Sequence, residues 1–219
     1  NPQALGVVIG VGNVDAEMLL LFEAPGENEA EVSFPVVGYS YVIIEWLRDR
    51  FGFDELKDFY RSNTVLCRPA DNRTPTAGEL NSCRKNLDYL VHTMKNLKLI
   101  VCVGATALKA IEGEDSVLSL RQGNLGKLPY RFQKGVYPDK EIYTLAIKHP
   151  ASLSYIENWR GQQKAVSNYI SQLALIRSVY DKLDQPSFEP PYRHTICRTE
   201  QECWQWLDFL MNDSSVENI

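Results

Sequence analysis

Four short apolar runs, separated by longer segments of helical periodicity, constrain the fold of this chain most strongly. The runs occupy residues 17–22, 59–66, 99–103 and 142–147, and the helical segments occupy 41–51, 76–97, 105–111 and 159–183. A continuous apolar run of this length is typical of a strand buried on both faces of a parallel sheet. The alternation therefore predicts a three-layer α/β/α domain with a central, mainly parallel four-stranded sheet.

Polar residues follow the predicted strands at points that a parallel sheet would bring together. A Glu-Ala-Pro-Gly turn at 23–26 follows the first strand, Asn63 lies near the end of the second, and His149 follows the fourth. Ligands of open α/β sheets bind outside the carboxyl ends of the strands. We therefore expect three segments that are distant in sequence to converge on one crevice.

The length and composition fit one domain with a sizeable core. The 219 residues are 44% hydrophobic, and no run approaches the roughly 20 apolar residues that a membrane helix needs. The N-terminus lacks the basic and apolar regions of a signal peptide. Scattered cysteines do not resemble a disulfide framework; they lie at positions 67, 83, 102, 197 and 203. We therefore expect a cytoplasmic protein with no membrane partner.

The charge distribution is uneven although the whole chain carries a net charge of −5. Residues 119–164 contain eight Lys or Arg against three Asp or Glu, which is a local excess of five positive charges. Such an excess either faces nucleic-acid phosphates or belongs to a solvated surface loop. Charge alone does not distinguish these alternatives.

The composition changes after residue 183. Three prolines in 184–192 predict a linker, and Thr199 with Glu202 forms a capping box that predicts a short amphipathic helix over 198–211. We therefore expect one domain over 1–183, followed by a linker and helix over 184–219 that lead toward a further domain. A C-terminal helix packed on the first domain is the alternative.

Three segments of the chain resemble the motifs of a known family. They are Glu23-Ala24-Pro25-Gly26-Glu27, the segment 63–75 (NTVLCRPADNRTP) and His149-Pro150-Ala151, in that order. These segments resemble the motifs of the iron–sulfur uracil-DNA glycosylases, and the resemblance spans residues 6–180. It implies hydrolysis of the N-glycosidic bond of uracil in DNA, with DNA as the partner and no catalytic metal.

The resemblance implies roles that the chemistry of three residues supports. An Asn side chain both donates and accepts, so Asn63 can pair with the Watson–Crick edge of a flipped uracil. His149 would donate to the base oxygen as negative charge develops there, and Glu23 would orient water and stabilise the cationic sugar. The alternatives are an Asn that caps a turn, a His bonded to backbone, and a solvated acid.

The resemblance also implies a wider set of contacts with substrate. Glu29 matches a position near carbon 5 of uracil, Asn72 would hold backbone or phosphate, and Ser152 would contact a phosphate. The full set of expected substrate-binding residues is Ala24, Pro25, Gly26, Glu29, Val36, Asn63, Asn72, Arg73, Pro150 and Ser152.

Two positions depart from the family pattern. Phe22 stands where the family has Gly before the motif Glu, and Val36 stands where it has a Phe that stacks on the flipped base. Stacking of a base on an aromatic ring contributes about 1–3 kcal/mol. The C-terminal segment at 184–219 motivates an alternative function, which these two departures also favour: a catalytically weakened DNA-binding or scaffolding module of a larger replication protein. A bacteriophage DNA polymerase, with polymerase or exonuclease domains on the same polypeptide, is an example.

The resemblance finally implies a [4Fe–4S] cluster, which takes four cysteine ligands. Cys67 and Cys83 match two of them, whereas the expected Cys-x-x-Cys before Gly10 does not occur in the sequence. Either the missing pair precedes residue 1 in the full protein, or this protein has lost the cluster and Cys67 and Cys83 are buried free thiols. Both alternatives stay open at this point.

Overall fold

The computed structural model describes residues 6–133, 137–153 and 159–184. The strands are Val11–Gly12 (β1), Met18–Phe22 (β2), Phe59–Asn63 (β3), Leu99–Val103 (β4), Leu125–Tyr130 (β5) and Lys140–Ile147 (β6). The helices are Glu27–Val32 (α1), Val42–Phe51 (α2), Ala77–Thr93 (α3), Ala105–Glu112 (α4), Leu118–Arg121 (α5) and Trp159–Tyr180 (α6). The linker and helix predicted within 184–219 lie outside the described residues, apart from Asp184.

All six strands form one sheet, in the order β1-β3-β2-β4-β6-β5. The four central strands are parallel, and β1 and β5 pair antiparallel at the two edges. The predicted α/β fold and mainly parallel sheet are therefore confirmed, but the count of four strands was too low. β1 has two residues, and Gly126 and Pro129 interrupt β5, so neither edge strand has a continuous apolar run.

The helix boundaries follow local capping chemistry. Thr76 is the N-cap of α3 as predicted: its hydroxyl accepts from the amide of Glu79, whose carboxylate accepts from the amide of Thr76 at 2.8 Å. α3 ends at Thr93, four residues before the predicted end at 97. The short helices α1 and α5 were not predicted, because four to six residues are too few to show helical periodicity.

Two hydrophobic clusters lie on opposite faces of the sheet. Alternate residues of each strand point to opposite faces, so Leu20 and Phe22 belong to the cluster beneath α2 and α6, whereas Leu19 and Leu21 belong to the cluster beneath α3 and α4. This arrangement confirms the three-layer architecture. In the described part of the chain, no helix combines the length and the apolar character that a membrane span requires.

A buried polar network joins α4, α5 and β6. Arg121 donates from Nε and Nη2 to the two carboxylate oxygens of Glu112, at 2.8 and 2.6 Å. The hydroxyl of Thr144 donates to the same carboxylate at 2.7 Å. Arg121 is 6% exposed, so this member of the positively charged stretch 119–164 does not face phosphates.

We predict that Arg121→Met lowers the free energy of unfolding by about 3–5 kcal/mol, because it leaves the Glu112 carboxylate buried and unpaired. Urea denaturation measures the change. Lys127→Met is the matched control, since Lys127 forms an exposed ion pair with Glu141 and such pairs contribute about 0–1 kcal/mol. Equal losses in the two variants would contradict the prediction.

Candidate active site

A cavity of about 710 Å³ lies at the carboxyl edge of the parallel strands. The three motif segments all contribute to its wall, as expected for a crevice at this edge. Its lining consists of Glu23, Ala24, Pro25, Gly26, Glu27, Asn28, Glu29, Gly38, Tyr39, Ser40, Pro69, Asn72, Arg73, Thr74, His149, Ala151 and Ser152. Nine of the predicted site residues are in this set, while Val36, Asn63, Pro150, Cys67 and Cys83 are not.

Glu23 directly follows β2, and hydrogen bonds hold both its backbone and its side chain. Its carbonyl oxygen accepts from the hydroxyl of Thr64 at 2.5 Å and from the amide of Val65 at 3.2 Å. Its carboxylate oxygen Oε2 accepts from the hydroxyl of Thr106 at 2.5 Å. The side chain is half-buried on the cavity wall, so a carboxylate of fixed orientation faces the cavity.

His149 follows β6 and has a defined tautomer. The amide of Ala151 donates to its Nδ1 at 3.3 Å, so the neutral imidazole carries its hydrogen on Nε2. Burial lowers the pKa of His149 below 6.5, although the charges of Glu23 and Glu29 oppose this shift. His149 is therefore a neutral hydrogen-bond donor at pH 7.

Phe22 lies against the His149 ring. The two ring centroids are 6.3 Å apart and the rings meet edge to face. Phe22 itself is buried and belongs to the same core cluster as Val36. The residue that departs from the family pattern thus fills the space beside the imidazole and excludes water from it.

Asn63 ends β3 in register with Phe22 of the neighbouring strand. It is 4% exposed, and its Nδ2 has no hydrogen-bond partner among the described residues. Asn63 borders a second cavity, of about 370 Å³ beside α3, rather than the cavity of Glu23 and His149. A buried donor without an acceptor is costly, which supports the prediction that Asn63 binds a ligand; its role in reading a base stays a prediction.

The Glu29 carboxylate is committed to backbone amides. Oε2 accepts from the amide of Gly26 at 3.1 Å, and Oε1 accepts from those of Val37 and Gly38 at 3.0 and 2.9 Å. Glu29 therefore ties the loop at 23–26 to the loop at 35–38, two parts of the cavity wall. Its predicted place near carbon 5 of a uracil stays a prediction.

Val36 is buried and strained. It is 3% exposed and has a φ of 57°, a left-handed conformation that is rare for a β-branched residue. Its side chain packs in the core beneath α2 and does not line the cavity. The hydrogen bonds that Glu29 accepts from the amides of Val37 and Gly38 stabilise this conformation. Val36 in this arrangement offers no face to a base in the cavity.

Side-chain contacts within the central loop and from the loop to α3 hold it in place. The Oδ1 atom of Asn72 accepts from Nε of Arg68 at 2.7 Å. Arg73 donates two hydrogen bonds of 2.8 Å to the carboxylate of Glu79, which lowers the pKa of Glu79 to about 2. With a further bond of 3.1 Å to the carbonyl of Thr74, these contacts engage three of the five N–H donors of Arg73.

Sequence reasoning missed two notable contributors. Thr106 reaches Glu23 from α4, although the two residues are 83 positions apart in the chain. Tyr39 lines the cavity and is 58% exposed. Neither residue belongs to a recognisable motif; only the position of Thr106 near the start of the helix that follows a predicted strand indicated its location at the edge of the sheet.

Cys67 and Cys83 are half-buried free thiols outside the cavity lining. Burial, followed by the proximity of Cys83, raises the pKa of Cys67. No group of three or more His, Cys, Asp or Glu side chains is placed to hold a metal within the described ranges. Two thiols do not make up the four ligands of a [4Fe–4S] cluster.

A carboxylate and a neutral imidazole share one cavity at the carboxyl edge of an α/β sheet, an arrangement typical of a hydrolase active site. Residues 9–174 match the family model of the uracil DNA glycosylase superfamily. Since the match covers most of the 219 residues, the chain belongs to this superfamily.

Three relatives share the name type-4 uracil-DNA glycosylase. The protein of Archaeoglobus fulgidus is 29% identical over 168 residues, which cover 76% of this chain and 81% of the relative. That of Sulfurisphaera tokodaii is 29% identical over 79% of this chain and 77% of its own. That of Thermotoga maritima is 35% identical over 54% of this chain and 61% of its own.

We predict that His149 titrates below pH 6.5. The sign follows from burial, which disfavours the charged imidazolium, so the neutral form persists to lower pH than for an exposed His. Phe22→Ala admits water and moves the pKa of His149 back toward 6.5. ¹⁵N NMR of the imidazole nitrogens measures both the titration and the Nε2-protonated tautomer.

Phe34→Ala is the control for this measurement, because Phe34 is an exposed ring of the nearby loop. It leaves the titration of His149 unchanged. A wild-type pKa at or above 6.5, or equal shifts in the two variants, would show that Phe22 does not shield the imidazole.

We predict that Glu29→Ala lowers the free energy of unfolding by about 2–3 kcal/mol, because three amides lose their acceptor. Glu29→Gln retains one acceptor oxygen, so it lowers the free energy of unfolding by less. Glu31→Ala, an exposed position on α1, stays within about 0.5 kcal/mol of wild type. Thermal or urea denaturation compares the three variants. A Glu29→Ala protein as stable as wild type would show that Glu29 does not hold the two loops together.

Proposed function

We propose that this protein hydrolyses the N-glycosidic bond of uracil in DNA. One observation carries the proposal: Glu23 and the neutral donor His149 face one cavity, in a chain of the uracil DNA glycosylase superfamily. The relatives named type-4 uracil-DNA glycosylase cover most of this chain, which supports the same reaction and DNA as the substrate.

The reaction begins with a base taken out of the DNA stack. A glycosylase extrudes the nucleotide and reads the Watson–Crick edge of its base by hydrogen bonds. The Nδ2 atom of Asn63 lacks an acceptor and would donate to a uracil carbonyl, while its Oδ1 would accept from the ring N–H. Because Asn63 borders the second cavity rather than that of Glu23 and His149, this pairing requires its amide to turn toward the larger cavity, where Nδ2 would gain the acceptor that it lacks.

Cleavage of the glycosidic bond places negative charge on the base and positive charge on the sugar. The Nε2 hydrogen of His149 would stabilise the base oxygen as it becomes anionic. The Glu23 carboxylate would stabilise the cationic sugar and orient the attacking water. Both groups lie on the wall of one cavity of about 710 Å³, large enough for a nucleoside and water.

The alternative function, a catalytically weakened module of a larger replication protein, has less support. The C-terminal segment that chiefly motivated it lies outside the described residues, and Val36, which also favoured it, packs in the core. Glu23 and His149 nevertheless retain defined orientations. No step of the proposed mechanism involves a cluster, because Cys67 and Cys83 do not line the cavity of Glu23 and His149.

We predict that the protein cleaves a labelled oligonucleotide with one uracil after alkali treatment. His149→Ala lowers the rate about 10²–10³-fold through loss of the oxyanion donor, and Asn63→Ala lowers it about 10²-fold or more through loss of base recognition. Single-turnover assays on single-stranded and U·G duplex substrates measure both effects.

His92→Ala and Asn81→Ala are matched controls, because both residues lie on α3 and line neither of the two cavities. They retain the wild-type rate, and an oligonucleotide with thymine in place of uracil stays intact. Binding of DNA without cleavage at enzyme excess would refute the enzymatic proposal and favour the DNA-binding module.

A further inference from the structure

We propose that Thr106 is a positioning residue for the Glu23 carboxylate. This inference rests on the proposed function, since it assigns Thr106 a part in the same reaction. Thr106 lies in the first turn of α4 and is 7% exposed. Its hydroxyl is 2.5 Å from Oε2 of Glu23.

The direction of this hydrogen bond follows from the two groups. An ionised carboxylate only accepts, so the single hydroxyl hydrogen of Thr106 must point at Glu23. Among the described residues, Thr106 is the one side chain or amide that donates to the Glu23 carboxylate. Oε2 is thereby held, and Oε1 retains its capacity to accept from a water molecule in the cavity.

Thr106 is not the N-cap of α4, so helix capping does not explain its hydroxyl. Gly104 occupies the N-cap of α4 and provides no side-chain cap, and Thr106 lies two positions further along. Its buried hydroxyl needs a partner, and that partner is Glu23, 83 residues away in the chain. A purely structural threonine at a helix start would instead bond to its own first turn.

The same turn also contacts His149. The amide of Gly104 donates to the carbonyl of Ile147 at 2.9 Å, which fixes the start of α4 to the end of β6. A Cβ atom added at Gly104 would lie 3.4 Å from Cβ of His149. One short segment, 104–106, therefore sets the distance between the carboxylate that faces the sugar and the imidazole that faces the base.

The backbone of Glu23 is fixed independently, by the hydroxyl of Thr64 on its carbonyl oxygen. Removal of the Thr106 hydroxyl should therefore free the carboxylate without moving the chain. Thr106→Val is the isosteric test, because it replaces only the hydroxyl with a methyl group. Thr106→Ser restores the hydroxyl and is the rescue variant.

Single-turnover excision of uracil, at saturating and limiting enzyme, separates binding from chemistry. Thr106→Val lowers the maximal rate about 10- to 100-fold, the scale of a misplaced catalytic group. The half-saturating concentration stays within about twofold, and Thr106→Ser regains most of the rate. Ser82→Ala, which removes an exposed hydroxyl bonded to the carbonyl of Gly78, leaves the rate unchanged.

A double-mutant cycle tests whether the effect passes through Glu23. In the Glu23→Ala background, Thr106→Val changes the residual rate by less than about twofold, because the coupled partner is already absent. An equal loss in both backgrounds, a loss that Thr106→Ser does not restore, or no loss in the wild-type background would each overturn the inference.

Crystal structures of the wild-type protein and Thr106→Val supply a readout that does not depend on activity. We expect the Glu23 carboxylate to leave its wild-type position while the backbone at 22–24 stays in place. An unmoved carboxylate would overturn the inference even in an active enzyme. A wild-type protein that does not excise uracil, but whose carboxylate moves in Thr106→Val, would refute the proposed function and leave the positioning contact established.

Discussion

Main-chain pairing of β2 with its two parallel neighbours is the constraint on which the candidate site depends. β2 lies between β3 and β4, with Phe22 opposite Asn63 and Leu21 opposite Cys102. Because parallel strands end on the same side, this register places Glu23 between Thr64, which follows β3, and Thr106, which lies in the helix after β4. A slip of one residue would turn every side chain of β2 to the other face and would place the carboxylate in the core.

The buried and half-buried carboxylates differ in how many hydrogen bonds they accept from the protein. Glu112 pairs with a buried guanidinium, Glu29 accepts three amide hydrogen bonds, and Asp88 accepts from a tyrosine hydroxyl, an amide and Arg84. Glu23 accepts a single hydrogen bond from a described side chain. Saturated carboxylates hold elements together, whereas one with spare acceptor capacity on a cavity wall can bind water or a cationic sugar.

The sequence predicted the central strands and the α3 capping box, because periodicity and capping act over a few residues; of the polar groups expected on one crevice, Glu23 and His149 share a cavity, whereas Asn63 borders another. It did not predict the edge strands, which lack a continuous apolar run, nor the partners of the site residues. Val36 illustrates the difference: the sequence indicated a lost contact with the base, while the structure places the side chain in the core with a φ of 57°. Local patterns contain no information about which side of a loop faces a cavity.

The amino-acid sequence by itself determined the class of the fold and the chemical groups available at its carboxyl edge: a carboxylate, an imidazole and an amide. These follow from residue order, since apolar runs become buried strands and the residues after them lie at one edge. Only the tertiary structure decided which groups are free to act. It committed Glu29 and Arg73 to structural partners, fixed the proton of His149 on Nε2, and brought Thr106 to Glu23. Hydrogen bonds between residues distant in the chain require packed elements, and packing is a property of the whole fold.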